Sequence, residues 1–315
     1  MRVALVCPAP PGSRLGNRIT ALRWRRMLRE MGHRAFIVQP GPAPAADVLF
    51  ALHARRSAES VRSAHEQRPG TKIVVALTGT DLYRDVHVDA SARRSLELAD
   101  RLVVLHDGAT AELAPRLLPK VYVVPQSAPA MRKLPPLRRW FEVLVVAHLR
   151  PEKDPLRTAQ AARELDGVSR IRVVHAGAAL SAQMRRAAAA EMRSNPRYLW
   201  FGELPGWKAR RLIARARVLS ITSEMEGGAN VLSEAVAAGT PVLASRIPAM
   251  CAILGAGYPG LFPVGDTRAL ARLLRRAEKD ARFLSDLRRR CIAVRPRLSP
   301  AKEKAALRAV LAGLA

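Results

Sequence analysis

Glu226-Gly227-Gly228-Ala229-Asn230-Val231-Leu232-Ser233-Glu234 is the stretch on which the fold turns. An apolar run, Val218 to Ile221, leads into it. A helical pattern from Val231 to Ala238 follows, closed by Gly239 and a second apolar run, Pro241-Val242-Leu243-Ala244. Strand, glycine turn, helix and strand in that order place a helix N-terminus at the carboxyl end of a sheet strand. The first turn of a helix carries backbone N–H groups with no intrahelical acceptor, and these suit a phosphate. The carboxylates of Glu226 and Glu234 flank that position. They repel phosphate, so their natural partners are neutral hydroxyl pairs. Amides for phosphates with carboxylates for diols on either side describe a nucleotide-sugar.

These residues resemble the Glu-x7-Glu signature of the retaining GT-B glycosyltransferases of group 1, family 4. The resemblance implies that Glu226 contacts the transferred sugar and Glu234 the nucleotide ribose. It also implies that the turn from Gly227 through Gly228, Ala229, Asn230 and Val231 holds the diphosphate with backbone amides. The family usually carries Phe-Gly where this chain has Gly228-Ala229. Two solvated glutamates on a surface helix would be the plainer explanation, but the strand-turn-helix context is the one the motif requires.

The chain of 315 residues fits two domains of ordinary size better than one core. Its hydrophobic content of 49% is that of a globular protein. No apolar run approaches the roughly 20 residues needed to span a bilayer. The N-terminus enters a short strand and then Pro8-Ala9-Pro10-Pro11-Gly12, unlike a signal peptide. Cys7, Cys251 and Cys291 are too widely spaced for a disulfide framework or a metal site, so a reducing, cytoplasmic setting is expected. No Asp-x-Asp for a divalent metal is present, and neither metal nor cofactor is expected; the partners are substrates.

The net charge is +27, and arginine dominates it: eight lysines stand against 45 arginines. A strongly basic domain is the usual footprint of nucleic-acid binding. Here the arginines are spread over nearly every helix, however, and aromatic residues are only 4%, too few for stacking platforms. Nucleic acid is therefore not expected as the partner. The positive field favours anionic substrates. Peripheral contact with an anionic membrane surface is compatible with it but not favoured.

Short apolar strands alternate with amphipathic helices along the whole chain. In the first half the strands are expected at Arg2–Val6, Arg34–Val38, Val48–Leu52, Lys72–Ala76, Arg101–Leu105 and Val121–Val124. Ala21, Trp24, Leu28 and Met31 mark a helix between the first two, stopped by Gly32. After a proline- and arginine-rich connector, Pro129 to Arg139, the pattern repeats. It gives strand Glu142–Val146, helix Pro155–Glu164, strand Ile171–His175, helix Ser181–Met192 and strand Tyr198–Phe201. Such alternation implies parallel sheets with right-handed crossovers. The expectation is an α/β protein with the GT-B architecture: two Rossmann-like domains, parallel sheets facing across a cleft, ligand near the strands' carboxyl ends. Residues 1–138 form the acceptor domain, 139–299 the donor domain, and 300–315 a helix crossing back to the first domain.

On the donor side, Val146-Ala147-His148-Leu149-Arg150-Pro151-Glu152-Lys153-Asp154 resembles the family's Gly-Arg-Leu-x-x-x-Lys element. Its arginine and lysine neutralise the donor diphosphate, and breaking a glycosidic bond to a nucleoside diphosphate needs such cations. Lys153 stands at the lysine position. His148 replaces the arginine, and either Arg150 supplies the charge or His148 donates a hydrogen bond. Tyr198-Leu199-Trp200-Phe201-Gly202-Glu203-Leu204 looks like the family's strand before the base-binding loop, which puts Phe201 and Gly202 near the base. Uracil is the base the family most often binds.

On the acceptor side, Pro10-Pro11-Gly12-Ser13-Arg14-Leu15-Gly16-Asn17-Arg18-Ile19-Thr20 follows the first strand and opens a helix. It makes a second anion site from Gly12, Gly16 and the donors Ser13, Arg14, Asn17, Arg18 and Thr20. Other strand ends add His53 and Arg55, then Thr78, Gly79, Thr80 and Asp81 with Arg84, then His106 and Asp107. His53 and His106 are equally readable as satisfied structural histidines. Together these blocks closely resemble one subgroup, the selenosugar synthases of selenoneine biosynthesis, over nearly the whole chain. That resemblance implies a carbon–selenium bond made from selenophosphate and a UDP-sugar, typically UDP-N-acetylglucosamine. Two alternatives stand beside it: a retaining glycosyltransferase acting on a hydroxyl acceptor such as a membrane lipid or glycan, and a basic nucleic-acid-binding protein.

Overall fold

The computed structural model describes residues 1–314; Ala315, the last residue of the expected C-terminal segment, lies outside the described residues. The chain forms two compact units. The first comprises Met1–Gln126, Glu226–Gly228 and the C-terminal segment from Pro300; the second comprises Ser127–Met225 and Ala229–Ser299.

The first unit is a six-stranded parallel sheet in the order β2-β1-β3-β4-β5-β6. Its strands are β1 (Arg2–Val6), β2 (Arg34–Val38), β3 (Val48–Leu52), β4 (Lys72–Ala76), β5 (Arg101–Val104) and β6 (Val121–Val123). Its helices are α1 (Gly16–Glu30), α2 (Ala58–Gln67), α3 (Val86–Val88) and α4 (Ala90–Leu98), with the C-terminal helix Pro300–Leu311 packed among them. All five residues of β3 are buried, because a parallel strand is covered on both faces. Phe50 and Leu52 pack with Trp24, Leu28, Leu307 and Leu311, while Leu49 and Ala51 pack with Val61, Leu82 and Leu96. The period of two along the strand thus divides the core into two layers around one sheet. Trp24 is fully buried and meets Phe50 edge-on at 5.6 Å between ring centroids.

The second unit repeats the plan with the order β12-β11-β10-β7-β8-β9, again all parallel. Its strands are β7 (Phe141–Val146), β8 (Ile171–Ala176), β9 (Tyr198–Trp200), β10 (Val218–Ile221), β11 (Val242–Ser245) and β12 (Leu261–Phe262). The helices are α5 (Arg157–Arg163), α6 (Ala182–Ser194), α7 (Gly206–Arg215), α8 (Asn230–Ala238), α9 (Pro248–Leu254), α10 (Thr267–Lys279) and α11 (Ala281–Val294). The helix expected from Pro155 begins only at Arg157. Asp154 takes a left-handed conformation (φ 41°), and its carboxylate accepts Arg157 Nε at 2.6 Å, which fixes a turn where the helix would have started.

In both units the strand order reverses beside the first strand, between β1 and β3 and between β7 and β10. Doubly wound sheets bind ligands in the crevice outside the carboxyl ends of the strands at such a switch point. The loops after β1, β3, β7 and β10 therefore border the two switch points.

Candidate active site

In the second unit the segment after β7 pairs Leu149 with Ala179 in an isolated bridge, then makes a short turn at Pro151–Lys153 and the left-handed Asp154. It is anchored to the neighbouring strand end: Thr222, just past β10, donates its hydroxyl to Lys153 O and Asp154 O at 3.1 and 2.8 Å. The amide of Glu224 bonds Glu152 O at 3.0 Å. Lys153, Arg150 and His148 are thereby held beside the turn that follows β10. The imidazole of His148 accepts the Ala178 amide at Nδ1 (3.1 Å), which puts the ring proton on Nε2.

Helix α8 opens without a side-chain cap, on Ala229 in the left-handed region (φ 50°, ψ 82°). Leu232 and Ser233 bond back to Ala229 O at 2.9 and 3.4 Å. Asn230 and Val231 thus precede the helix ladder, as an anion-binding first turn requires. Glu234 follows a turn later, half-buried, with Arg210 of α7 at 4.0 Å. Phe201 is exposed beyond the end of β9, and Gly202 has a positive φ of 67°.

Gly177, at the end of β8, was not singled out from the sequence. A Cβ there would lie 1.8 Å from Ala147 O, so only glycine lets the loop after β7 pass so close. Under that crossing His175 is wholly buried, with Nε2 on Ala147 O at 2.9 Å and Nδ1 on the Tyr198 hydroxyl at 2.8 Å. Burial holds its pKa down to about 4, so it is a neutral structural imidazole.

Glu226, Gly227 and Gly228 pack within the first unit. A Cβ on Gly227 would lie 2.3 Å from Thr78 O; one on Gly228 would meet the Leu105 Cβ and Gln126 Oε1, each at 2.9 Å. The Phe of the family pattern therefore has no room at Gly228. Ala229, where the family has glycine, keeps the glycine-like backbone. Glu226 is buried, and Tyr83 lies near enough that its charge, after burial and Glu112, helps hold the phenol protonated. Gln126 in turn donates to Thr20 Oγ1 at 3.0 Å.

The loop after β1 turns at Gly12 (φ 77°) and leads through Ser13 and Arg14 to Gly16, Asn17 and Arg18 at the start of α1, which has no side-chain cap. Ser13 Oγ and Arg18 Nε are buried without a hydrogen-bond partner among the described residues. Buried polar atoms are almost always paired, and these two orphans, one on the loop and one in the first turn of α1, fit a ligand contact.

Asp81 does not face a ligand. It is fully buried, and its carboxylate accepts the amides of Thr78 (2.9 Å), Gly79 (2.8 Å) and Ala54 (3.0 Å). Those amides are used to shape the loop, which leaves the half-buried hydroxyls of Thr78 and Thr80 as the side-chain donors of the segment Thr78–Asp81. Arg55 Nε lies 3.0 Å from Asp85, a residue whose role the sequence did not disclose, and Arg84 Nε bonds the same carboxylate at 3.0 Å. Sequence spacing could not reveal Asp85, because its partners come from two different strand ends.

No helix is long and apolar enough to cross a membrane among the described residues. The family model described as Glycosyl transferases group 1 matches residues 132–294, just over half of the chain. No curated protein sequence matches. Among solved structures, the Anabaena HepE complex with UDP and glucose superposes with a TM-score of 0.79 at 14% identity, covering 99% of both chains. The sucrose-phosphate synthase of Thermosynechococcus elongatus gives a TM-score of 0.79 at 14% identity over 98% of each. The apo form of the lipopolysaccharide outer core galactosyltransferase WaaB gives 0.70 at 13% identity over 99% of each. These likenesses establish the GT-B fold.

Proposed function

The chain belongs to the group 1 glycosyl transferases, and from that premise we propose that it transfers a sugar, typically N-acetylglucosamine, from a UDP-sugar to selenophosphate. The observation that carries the donor half is the joint between the loop after β7 and the turn after β10, made by Thr222 on Lys153 O. Lys153, Arg150 and His148 follow β7 and the uncapped start of α8 follows β10, the two strands at which the order reverses, and this supports a common donor site. HepE, of the same fold, is complexed with UDP and glucose, which supports a UDP-sugar as the donor class.

In this proposal the selenium of selenophosphate attacks the anomeric carbon and the carbon–oxygen bond to UDP breaks. The leaving diphosphate takes up the electron pair. Lys153, Arg150, the His148 Nε2–H and the amides from Gly228 to Val231 offset its growing charge. Glu226 holds the sugar and Glu234 the ribose, with Phe201 and Gly202 near the base. Water then cleaves the phosphorus–selenium bond, which releases phosphate and leaves the selenosugar. Selenophosphate is anionic and already a soft nucleophile, so the acceptor side needs a cradle of donors rather than a strong base. The orphaned Ser13 Oγ and Arg18 Nε, with Arg14, Asn17, Arg55 and Thr80, fit that need.

The test mixes purified protein with selenophosphate and several UDP-sugars, following UDP release and the products by mass spectrometry. A selenosugar is expected. UDP appearing only with a membrane extract would establish the hydroxyl-acceptor alternative instead. Glu226→Ala and Lys153→Ala should each lower turnover by about 100-fold or more, the scale of a lost charge-stabilising group.

A further inference from the structure

His53 stands where β3 ends and carries a positive φ of 77°, a backbone state uncommon for a side-chain-bearing residue. The fold holds it there from several sides. Its amide bonds Ala76 O at 2.8 Å, its carbonyl accepts the Ser57 amide at 3.0 Å, and the Ser57 hydroxyl grips Leu52 O at 2.7 Å. The ring is buried, only 3% exposed. Nδ1 accepts the Arg56 amide at 3.4 Å, so the ring proton belongs on Nε2. That nitrogen lies 3.1 Å from Thr80 Oγ1. Asp85 Oδ2 is farther, at 3.8 Å, and is flanked by Arg55.

Thr80 therefore accepts from His53, and its own hydroxyl proton must point elsewhere. No acceptor for that proton is present among the described residues, while Thr80 is half-buried at the edge of the loop. Nearby, Asp85 draws in Arg55 and Arg84, whose side chains keep 42% and 45% of their surface exposed. One aimed hydroxyl beside two guanidinium groups suits a small tetrahedral oxyanion of the phosphate class.

We propose that His53 is a positioning residue that fixes the Thr80 hydroxyl as a donor to an oxyanion of the acceptor, with Arg55 and Arg84 supplying the surrounding charge. The selenophosphate reading names that acceptor, and the role of His53 deepens it. Burial disfavours the charged imidazole, which fits a ring held neutral with one proton to give.

The experiment uses the full chain with Thr80→Val, Thr80→Ser, His53→Asn and His53→Gln. Asparagine tolerates a positive φ, so His53→Asn keeps the turn while removing the donor at the Nε2 position; glutamine restores a donor there. Readouts are KM for selenophosphate, KM for the UDP-sugar, and inhibition of UDP release by inorganic phosphate. Thr80→Val and His53→Asn should each raise the selenophosphate KM and the phosphate inhibition constant by about 10-fold, as expected for one bond to a charged group. The KM for the UDP-sugar stays unchanged. Thr80→Ser and His53→Gln recover most of the loss, and the double variant is no worse than Thr80→Val alone. Additive effects, or unchanged values for both anions, overturn the proposal. Should the wild type release no UDP with selenophosphate, the acceptor reading falls. Calorimetric binding of inorganic phosphate to the same variants then decides the His53–Thr80 pair: weaker binding by Thr80→Val supports it, and equal binding refutes it.

Discussion

Glu303 Oε1 accepts the indole N–H of Trp24 at 2.7 Å, and the same carboxylate takes Arg23 Nε at 2.9 Å to each oxygen. The C-terminal helix is thus fastened to α1 by a carboxylate with no exposed surface. A fully buried charge survives only when it is paired and hydrogen-bonded, and this one has both a cation and a neutral donor.

Removing the carboxylate takes this counter-charge from Arg23, whose side chain is only 11% exposed. Glu303→Ala should therefore destabilise the first unit by about 3–5 kcal/mol, the usual cost of breaking one side of a buried pair. Urea unfolding followed by tryptophan fluorescence reads this once Trp140, Trp200 and Trp207 of the second unit are replaced by phenylalanine, which leaves Trp24 as the reporter. Glu303→Gln keeps an acceptor for the indole and should lose less. Equal stability of Glu303→Ala and wild type would show that the helix is held by its apolar face and by its ties to Glu30 and Arg101.

The His175 imidazole gives the second unit a pH signature. Its folded pKa is about 4, below the ordinary value of 6.5, because burial opposes the charged form. Between those values the unfolded chain binds a proton that the folded chain refuses, so stability is complete above pH 6.5 and is lost as pH falls toward 4. The loss is on the order of 3 kcal/mol across that window. Urea midpoints at pH 7 and pH 4 measure it. His175→Gln, which keeps a donor for Ala147 O, should flatten the slope, whereas an unchanged slope would assign it to other groups.

The strands were legible because apolar runs such as Val48–Leu52 are buried from end to end and bounded by turn residues. The turn and helix from Glu226 to Glu234 were legible too, since they form a local pattern on one turn and one helix. Non-local packing was not. Nothing in the residues around Glu226 tells that Glu226–Gly228 would cluster with Thr78, Leu105 and Gln126. Likewise Asp81 reads as a ligand group beside Thr80, and only the folded loop turns its carboxylate inward onto three amides.

Ala229 occupies a left-handed conformation in which its Cβ is crowded by its own backbone, at a cost of roughly 1–2 kcal/mol. Ala229→Gly relieves that crowding but gives the unfolded chain more freedom, worth about 0.4–1 kcal/mol. The net expectation is a gain of about 0.5–1 kcal/mol, read as a raised urea midpoint. Ala229→Val should lose stability, because a β-branched residue fits this region worst. A destabilised glycine variant would show that the turn tolerates alanine without strain.

Gly227 is the most constrained position of the glutamate-bearing turn. A Cβ there would stand 2.3 Å from Thr78 O and 2.4 Å from its carbonyl carbon, both backbone atoms that cannot swing aside. Gly227→Ala must therefore push the turn away from the end of β4 and carry Glu226 with it. UDP-sugar turnover should fall by at least about 10-fold, since misplacing a positioned group by an ångström costs that much or more. Gly257→Ala is the control: its Cβ would meet nothing within 4 Å, and its activity should match wild type. Wild-type turnover in Gly227→Ala would mean that the placement of Glu226 by this turn has no part in the reaction.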